Sequence, residues 1–553
     1  VEGIVILANE CNFSIGSGEF SSYREKTMER KRFIDCDSTK ILQELALNPL
    51  DLTAPGVLSA ERIKKFSLLG GGFTFSFATE RLDDAILAAL ISLAEERGLH
   101  ESMLAMQQGQ VVNYIEGFPS EMRPALHTAT RAWVTDSSFT GEAEDIAVRS
   151  RVEAQRLKDF LTKVRSQFTT IVQIGIGGSE LGPKALYRAL RAYCPTDKHV
   201  HFISNIDPDN GAEVLDTIDC AKALVVVVSK SGTTIETAVN EAFFADYFAK
   251  KGLSFKDHFI AVTCEGSPMD DTGKYLEVFH LWESIGGRFS STSMVGGVVL
   301  GFAYGFEVFL QLLQGASAMD QIALQPNARE NLPMLSALIS IWNRNFLGYP
   351  TEAVIPYSSG LEFFPAHLQQ CCMESNGKSI VQDGRRVGFS TSPVIWGEPG
   401  TNGQHSFFQC LHQGTDIIPV EFIGFEKSQK GEDISFQGTT SSQKLFANMI
   451  AQAIALACGS ENTNPNKNFD GNRPSSVLVS SQLNPYSLGE LLSYYENKIV
   501  FQGFCWGINS FDQEGVSLGK ALANRVLELL EGADASNFPE AASLLTLFNI
   551  KFR

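Results

Sequence analysis

Apolar and polar residues fall into blocks along this chain, and the blocks change character near residue 168. Before that point the spacing is helical. Residues 41–47, 60–68 and 83–97 carry apolar side chains at three- and four-residue intervals, the period that gives an α-helix one apolar face. Residues 113–131 read as a turn and then a helix carrying Pro124, Leu126 and His127. Together these segments predict an N-terminal helical cluster.

From Phe168 onward, short continuous apolar runs take over. Residues 169–174, 200–203, 223–228 and 258–263 predict buried strands, and 181–191, 211–216 and 236–250 predict helices between them. Strands that are apolar throughout are covered on both faces, and strands alternating with helices make a parallel sheet. After a helical stretch over 297–346 the alternation resumes. Strands are expected near 352–357, 394–396, 417–423 and 476–481, and helices near 361–373, 403–413, 442–457 and 488–500. Residues 516–531 and 539–548 predict two terminal helices. The fold class is α/β with mainly parallel sheets, in two blocks of similar texture.

Length and charge narrow the function. The 553 residues suffice for two or three domains with full cores. Acidic residues number 63 against 45 basic, a net charge of -18, which disfavours nucleic acid and anionic membranes as partners. An anionic substrate would need a local cradle to offset that field. The longest apolar runs fall well short of the roughly 20 residues of a membrane span. Ten scattered cysteines form no CxxC and nine histidines form no HExxH, so no metal and no disulfide framework are expected, and a cytoplasmic location is. Residues 1–27 are patternless and Met28 reads as a natural start; the expectation is an upstream extension.

Several loops carry candidate chemistry. The apolar run 361–373 stops abruptly at Glu374-Ser375-Asn376-Gly377. A carboxylate at the edge of an apolar patch is partly desolvated, which makes it a better base near neutral pH. The same four residues also read as a plain helix stop. Gly175-Ile176-Gly177-Gly178-Ser179 ends a strand and opens a helix, where converging N–H groups and the helix dipole favour an anion. A dinucleotide site would want glycine at 180, and Glu180 stands there. Ser229-Lys230-Ser231-Gly232-Thr233-Thr234 has the same placement with four hydroxyls and a lysine. That composition suits a phosphate monoester and does not fit the Walker pattern. Loops at the carboxyl ends of parallel strands flank a common crevice, so both could meet one ligand. Gly286-Gly287-Arg288 offers a guanidinium for a carboxylate, a phosphate or an enolate, or for a surface ion pair. Gly400-Thr401-Asn402-Gly403-Gln404-His405 and Gln513-Glu514-Gly515-Val516-Ser517-Leu518-Gly519-Lys520 each lead into a helix. A histidine among glycines invites close ligand approach, although most lone histidines and lysines are structural or solvated.

Taken in order, these stretches resemble the glucose-6-phosphate isomerase (phosphoglucose isomerase) family. The likeness runs from about residue 30 and rests on 175–183, 286–290, 373–378 and 399–405, with Pro124-Ala125-Leu126-His127 as an N-terminal signature. The resemblance implies two sugar-isomerase-type (SIS) three-layer αβα domains with terminal helical extensions: 28–135 packing on the large domain, 136–305 the small domain, 306–553 the large domain with the C-terminal helices. It implies reversible isomerisation of D-glucose 6-phosphate to D-fructose 6-phosphate through ring opening and a cis-enediol, without metal or organic cofactor. By motif match, Glu374 is the proton-shuttling base and Arg288 stabilises the enediolate. His405 and Lys520 assist ring opening, with Glu236 orienting the histidine. Gly178, Ser179, Ser229, Lys230, Ser231 and Thr234 line the phosphate pocket, and Gln370 and Gln513 contact sugar or phosphate. A homodimer is implied, with His405 supplied by the neighbouring subunit.

The chain departs from the common family pattern at Ser231-Gly232, where many members have Thr-Phe, and at Thr292, where many have Trp. Three rival readings remain. A sugar-phosphate sensor on the same fold would need the cradle but not Glu374, His405 and Lys520 together. A nicotinamide-dependent oxidoreductase would use Asp207 as its ribose acid. Isomerases of mannose or amino-sugar phosphates are closer rivals, separable only with a substrate panel.

Overall fold

The computed structural model describes residues 30–135 and 139–551; the expected upstream extension, 1–27, lies outside the described residues. The N-terminal segment is helical only in part. Helix Ala60–Lys65, capped by the Ser59 side chain, gives way to a hairpin of strands β1 (Ser67–Gly70) and β2 (Phe73–Ser76). Leu68, expected in the helix, is therefore in a strand. Its run Ser67-Leu68-Leu69-Gly70 pairs with Phe73-Thr74-Phe75-Ser76 across a glycine-rich turn, and that turn chemistry outweighs the helical spacing. The expected helix carrying Pro124 is also absent. Arg123–Pro124 forms a short bridge to Val111–Asn113, and only Ala129–Ala132 is helical.

The first sheet contains β3 (Thr170–Ile174), β4 (His199–Ile203), β5 (Ala223–Val228), β6 (Phe259–Cys264) and β7 (Glu277–Leu281). Its order is β4-β3-β5-β6-β7, all parallel. Helices α1 (Leu181–Ala189) and α2 (Ile235–Lys250) follow β3 and β5. All of β3, β5 and β6 is buried, which explains why they read as unbroken apolar runs. The chain leaves β3 toward β4 on one side and leaves β5 toward β6 on the other. β3 and β5 are neighbours with Ile174 opposite Val227, so a crevice opens between the loops at their carboxyl ends.

Helix α3 (Phe306–Ala323) links to a second sheet of β8 (Thr351–Pro356), β9 (Val394–Trp396), β10 (Val420–Lys427) and β11 (Ser475–Gln482). The order is β1-β2-β11-β10-β8-β9. The last four strands are parallel, and the hairpin joins antiparallel at β11. Helix α4 (Phe364–Gln369) follows β8, and α5 (Pro485–Trp506) runs through the core, capped by an Asn484–Ser487 capping box. Helices α6 (Ser517–Glu531) and α7 (Pro539–Leu547) close the chain.

Two glycines let α3 and α5 cross backbone to backbone. A Cβ on Gly315 would fall 1.8 Å from the Tyr486 carbonyl oxygen, and one on Gly489 would fall 2.0 Å from that of Leu312. Beside this crossing Arg131 donates to Asp320 at 2.7 Å and to Glu496 at 2.6 Å, all three buried. The hairpin turn is pinned to the same helix, since the Gly72 N–H donates to Glu490 Oε1 at 2.9 Å.

Glu490 is 2% exposed and its Oε2 has no partner among the described residues. Burial raises its carboxyl from 4.5 to about 7. Between those values the folded chain holds a proton that the unfolded chain has released. This contribution to stability is complete below the unfolded value and is lost as pH rises toward the folded one. Glu490→Gln is expected to abolish a loss of about 1.4 kcal/mol per pH unit across that window. Urea unfolding of both proteins at several pH values between the two pKa values measures it.

Candidate active site

The crevice at β3 and β5 is lined by the two glycine-rich loops. In the first, Gly177 has φ 59°, and a Cβ on Gly178 would fall 2.1 Å from the Gly287 carbonyl oxygen. Gly178 thus brings this loop into backbone contact with the turn Gly287–Phe289, which carries Arg288. In the second loop the hydroxyls are already oriented. Ser229 Oγ lies 3.0 Å from Thr234 Oγ1 and accepts from the Gly232 N–H at 3.1 Å, and Ser231 Oγ accepts from the Thr233 N–H at 3.2 Å. Ser229 is buried, while Ser231 and Thr233 face solvent. Lys230 Nζ donates to the Glu283 carbonyl at 2.7 Å and lies 3.3 Å from the Glu283 carboxylate, which Arg123 also binds at 2.7 Å. Burial, with Arg123 close by, holds the Lys230 ammonium below the ordinary lysine value.

The expected helix over 361–373 is three pieces. A 3-10 turn, Ser359–Leu361, precedes α4, and α4 passes into a π-helical turn, Gln370–Glu374. π turns insert one extra residue and recur at functional sites. On this turn Gln370 Nε2 donates to Glu374 Oε2 at 3.2 Å, an i,i+4 contact, and a Cβ on Gly177 would lie 3.1 Å from that same nitrogen. The first loop therefore reaches the candidate base through Gln370.

Arg288 is the partner of Glu374. It is 2% exposed. Its Nη1 donates to Glu374 Oε1 at 2.5 Å and its Nε to Ser375 Oγ at 2.8 Å. Its Nη2 donates to the carbonyls of Ser510 at 3.1 Å and Asp512 at 2.6 Å. Cys371 Sγ, 3.3 Å away, donates to the Arg288 carbonyl. The setting expected from the apolar run is thus half right. Cys371 and Cys372 behind the base are buried, but the carboxylate itself, 23% exposed, meets a guanidinium and an amide.

Among the described residues, His405, Lys520, Gln513 and Glu236 make no hydrogen bond or ion pair with Arg288 or Glu374. His405 is exposed at the end of the 3-10 turn Asn402–His405. Its loop is anchored on Tyr357, whose hydroxyl accepts from Gln404 Nε2 at 2.7 Å. The helix expected over 403–413 begins only at Phe408. Lys520 is exposed on α6, Gln513 is exposed just before it, and Glu236 is half-buried in the first turn of α2. Among the described residues Glu374 hydrogen-bonds only Arg288 and Gln370. Among the described residues, no group of three or more His, Cys, Asp or Glu is placed to hold a metal ion. Sequence reasoning assigned nothing to Ser375, Lys378, Ser510 or Asp512. Ser375 and Lys378 stood inside the Glu374 motif, whereas Ser510 and Asp512 showed no local signal.

A family model described as phosphoglucose isomerase matches residues 76–545. The chain belongs to the phosphoglucose isomerase family. It is 71% identical over 523 residues to a glucose-6-phosphate isomerase of Chlamydia caviae, covering 94% of this chain and 99% of that one. To one of Chlamydia trachomatis serovar D it is 62% identical over 523 residues, 95% and 100% of the two chains. The crystal structure of a glucose-6-phosphate isomerase from Chlamydia trachomatis D/UW-3/Cx superimposes with a TM-score of 0.91 at 63% identity, over 94% of this chain and 100% of that one.

The two departures from the common family pattern have local structural reasons. Gly232 has φ 68°, where a side chain is strained. Thr292 is buried, with Oγ1 3.0 Å from Thr130 Oγ1, and lines a small cavity with Trp133, Ser150 and Trp282.

Gly178→Ala should force the first loop off the Arg288 turn. The expected cost is about 1–3 kcal/mol of stability, typical of overpacking against fixed atoms, with a fall in activity. Denaturant unfolding beside a steady-state assay checks both.

Proposed function

We propose that the chain interconverts D-glucose 6-phosphate and D-fructose 6-phosphate, a step of glycolysis and, in reverse, of gluconeogenesis. The observation that carries this reading is the Arg288–Glu374 pair, tied through Gln370 and Gly178 to the loop that follows β3. The hydroxyls of Ser229, Ser231 and Thr234, with Gly178, Ser179 and the Lys230 segment, grip the phosphate. That remote binding energy fixes C1 and C2 over the base. Glu374 takes the proton from C2 and returns it to C1. A C–H next to a carbonyl is a weak acid, so the step needs both a positioned base and stabilisation of the enediolate oxygen.

Arg288 can do this without letting go of the base. A guanidinium has five N–H donors, and four are committed to Glu374, Ser375, Ser510 and Asp512. The remaining proton is on Nη1, the nitrogen that touches the carboxylate. An oxyanion forming beside Glu374 meets it directly. Gln370 holds the other carboxylate oxygen, and Gln513 contacts the sugar or phosphate. His405, oriented by Glu236, and Lys520 supply the protons for ring opening.

This reading requires a second copy, because His405 and Lys520 face solvent in one chain. The terminal arm supports it. Leu529 and Ala541 are the only buried residues of α6 and α7, while Leu518, Leu544, Leu547 and Phe548 are more than half exposed. We take the assembly as a homodimer in which His405 completes the neighbour's site. The division into 28–135, 136–305 and 306–553 and the cytoplasmic location belong to the same proposal. No described helix is long and apolar enough to cross a membrane, and the nine described cysteines are free.

Glu374→Gln should cut kcat by several orders of magnitude while the variant still binds hexose 6-phosphate. A coupled assay and calorimetry measure the two. Glu374→Gln and His405→Ala proteins, unfolded and refolded together, should regain activity that neither has alone. With random pairing and one intact site per mixed dimer, recovery is on the order of a quarter of the wild-type value. A mixture that stays inactive argues for a site built from one chain.

A further inference from the structure

Lys378 lies four residues beyond the candidate base and has no assigned role. Its side chain is 16% exposed and that of Asp512 is 14% exposed. The two form a close ion pair through Lys378 Nζ and Asp512 Oδ1, and Nζ also donates to the Asp512 carbonyl at 2.9 Å. That carbonyl is the one Arg288 Nη2 holds at 2.6 Å. The second Asp512 carboxylate oxygen accepts from Asn509 Nδ2 at 2.8 Å. Both oxygens are thus satisfied, as a buried carboxylate requires.

The position of this pair in the chain gives it a consequence. Asp512 is the last tightly held residue before the arm. Gln513 follows at once, and Lys520 sits in the first turn of α6, all of it exposed from Gln513 onward through that turn. The Lys378 backbone, at the other end of the pair, belongs to the turn after Glu374, where its N–H donates to the Asn376 carbonyl at 2.8 Å. One ion pair spans 134 residues of sequence and joins the base's turn to the root of the arm.

We propose that Lys378 is a positioning residue, whose ion pair with Asp512 clamps the root of the Gln513–Lys520 arm against the turn that carries Glu374. The proposal rests on the isomerase reading above. Arg288 holds the root through one nitrogen only, on the Ser510 and Asp512 carbonyls, and does not touch the Asp512 side chain. Lys378 adds a contact to that side chain and a second to the Asp512 carbonyl. The clamp touches neither substrate nor base. Its loss displaces Lys520 and so slows ring opening, while proton transfer by Glu374 with Arg288 continues.

The test compares Lys378→Met, Lys378→Arg, Asp512→Asn and wild type on glucose 6-phosphate with hydrogen or deuterium at C2. Lys378→Met is expected to lower kcat by roughly ten- to a hundredfold, the scale on which a misplacement of about 1 Å acts, with a smaller change in KM. Its deuterium isotope effect on kcat should shrink toward unity, because ring opening then limits turnover. Asp512→Asn, which keeps a neutral hydrogen bond, should fall between, and Lys378→Arg should restore much of the rate. Thermal melts identify any variant that is merely unfolded. A folded Lys378→Met protein with wild-type kcat overturns the clamp, as does one with lowered kcat and an undiminished isotope effect. If wild type itself fails to isomerise the substrate, the functional reading fails instead, so the two failures are distinct.

Discussion

One buried guanidinium organises the site. Burying a charge is costly unless its hydrogen bonds are made inside the protein, and Arg288 makes them to a carboxylate, a hydroxyl and two carbonyls. Those acceptors come from two distant stretches, 374–375 and 510–512. Arg288 itself sits on the turn pressed against the Gly178 loop. Because each bond answers part of one desolvation cost, none of the segments can drift without exposing the others to an unpaired charge. The geometry of base, loop and arm root is thus a single constraint, imposed from the middle.

The π turn at Gln370–Glu374 belongs to the same constraint. A regular α-helix running through Met373 would aim the carboxylate elsewhere, since one residue turns a side chain by about 100°. Gln370 and Glu374, an i,i+4 pair, meet side by side, and Gln370 reaches the Gly177 loop. Behind them His367, buried and held down to about 4, and Cys371, pushed well above its ordinary value, stay neutral near pH 7. They pack without adding charge close to the base, which leaves Arg288 as its dominant electrostatic neighbour.

Much of this was legible in residue order. The strands covered on both faces announced themselves as apolar runs, and the loops after β3 and β5 carried their glycines and hydroxyls in plain view. Elements whose signal is mixed were lost. Helix Glu142–Val164 is amphipathic but strongly charged, and β7 interrupts its apolar residues with Glu277 and His280. The start of β1 falls inside the helix expected over 60–68, where Ile63 and Phe66 fit a helical stripe. Site candidates carried by a local motif, such as Glu374 and Arg288, are legible in residue order. Those defined by pairing at long range, such as Asp512 with Lys378 and Arg288, have no pattern in their own neighbourhood and emerge only when the chain is folded.

The arm shows how the constraint at the centre reaches the surface. Its root is held by Arg288 and Lys378, and beyond Asp512 it offers apolar side chains to water with almost nothing of its own chain beneath them. A segment of this kind gains free energy only by docking on a surface outside its fold, and each docked copy narrows the directions its root can take. Coupling of this kind is reciprocal. A root already fixed in the docked direction costs less entropy to dock, and a docked arm holds the root, hence the Asp512 carbonyl and the guanidinium bound to it, in one orientation. In the proposed homodimer, assembly and the alignment of Arg288 on Glu374 favour one another through the Arg288 and Lys378 hydrogen bonds to the Asp512 carbonyl. A chain whose net charge of -18 repels both a phosphate and a second copy has reason to use such a device.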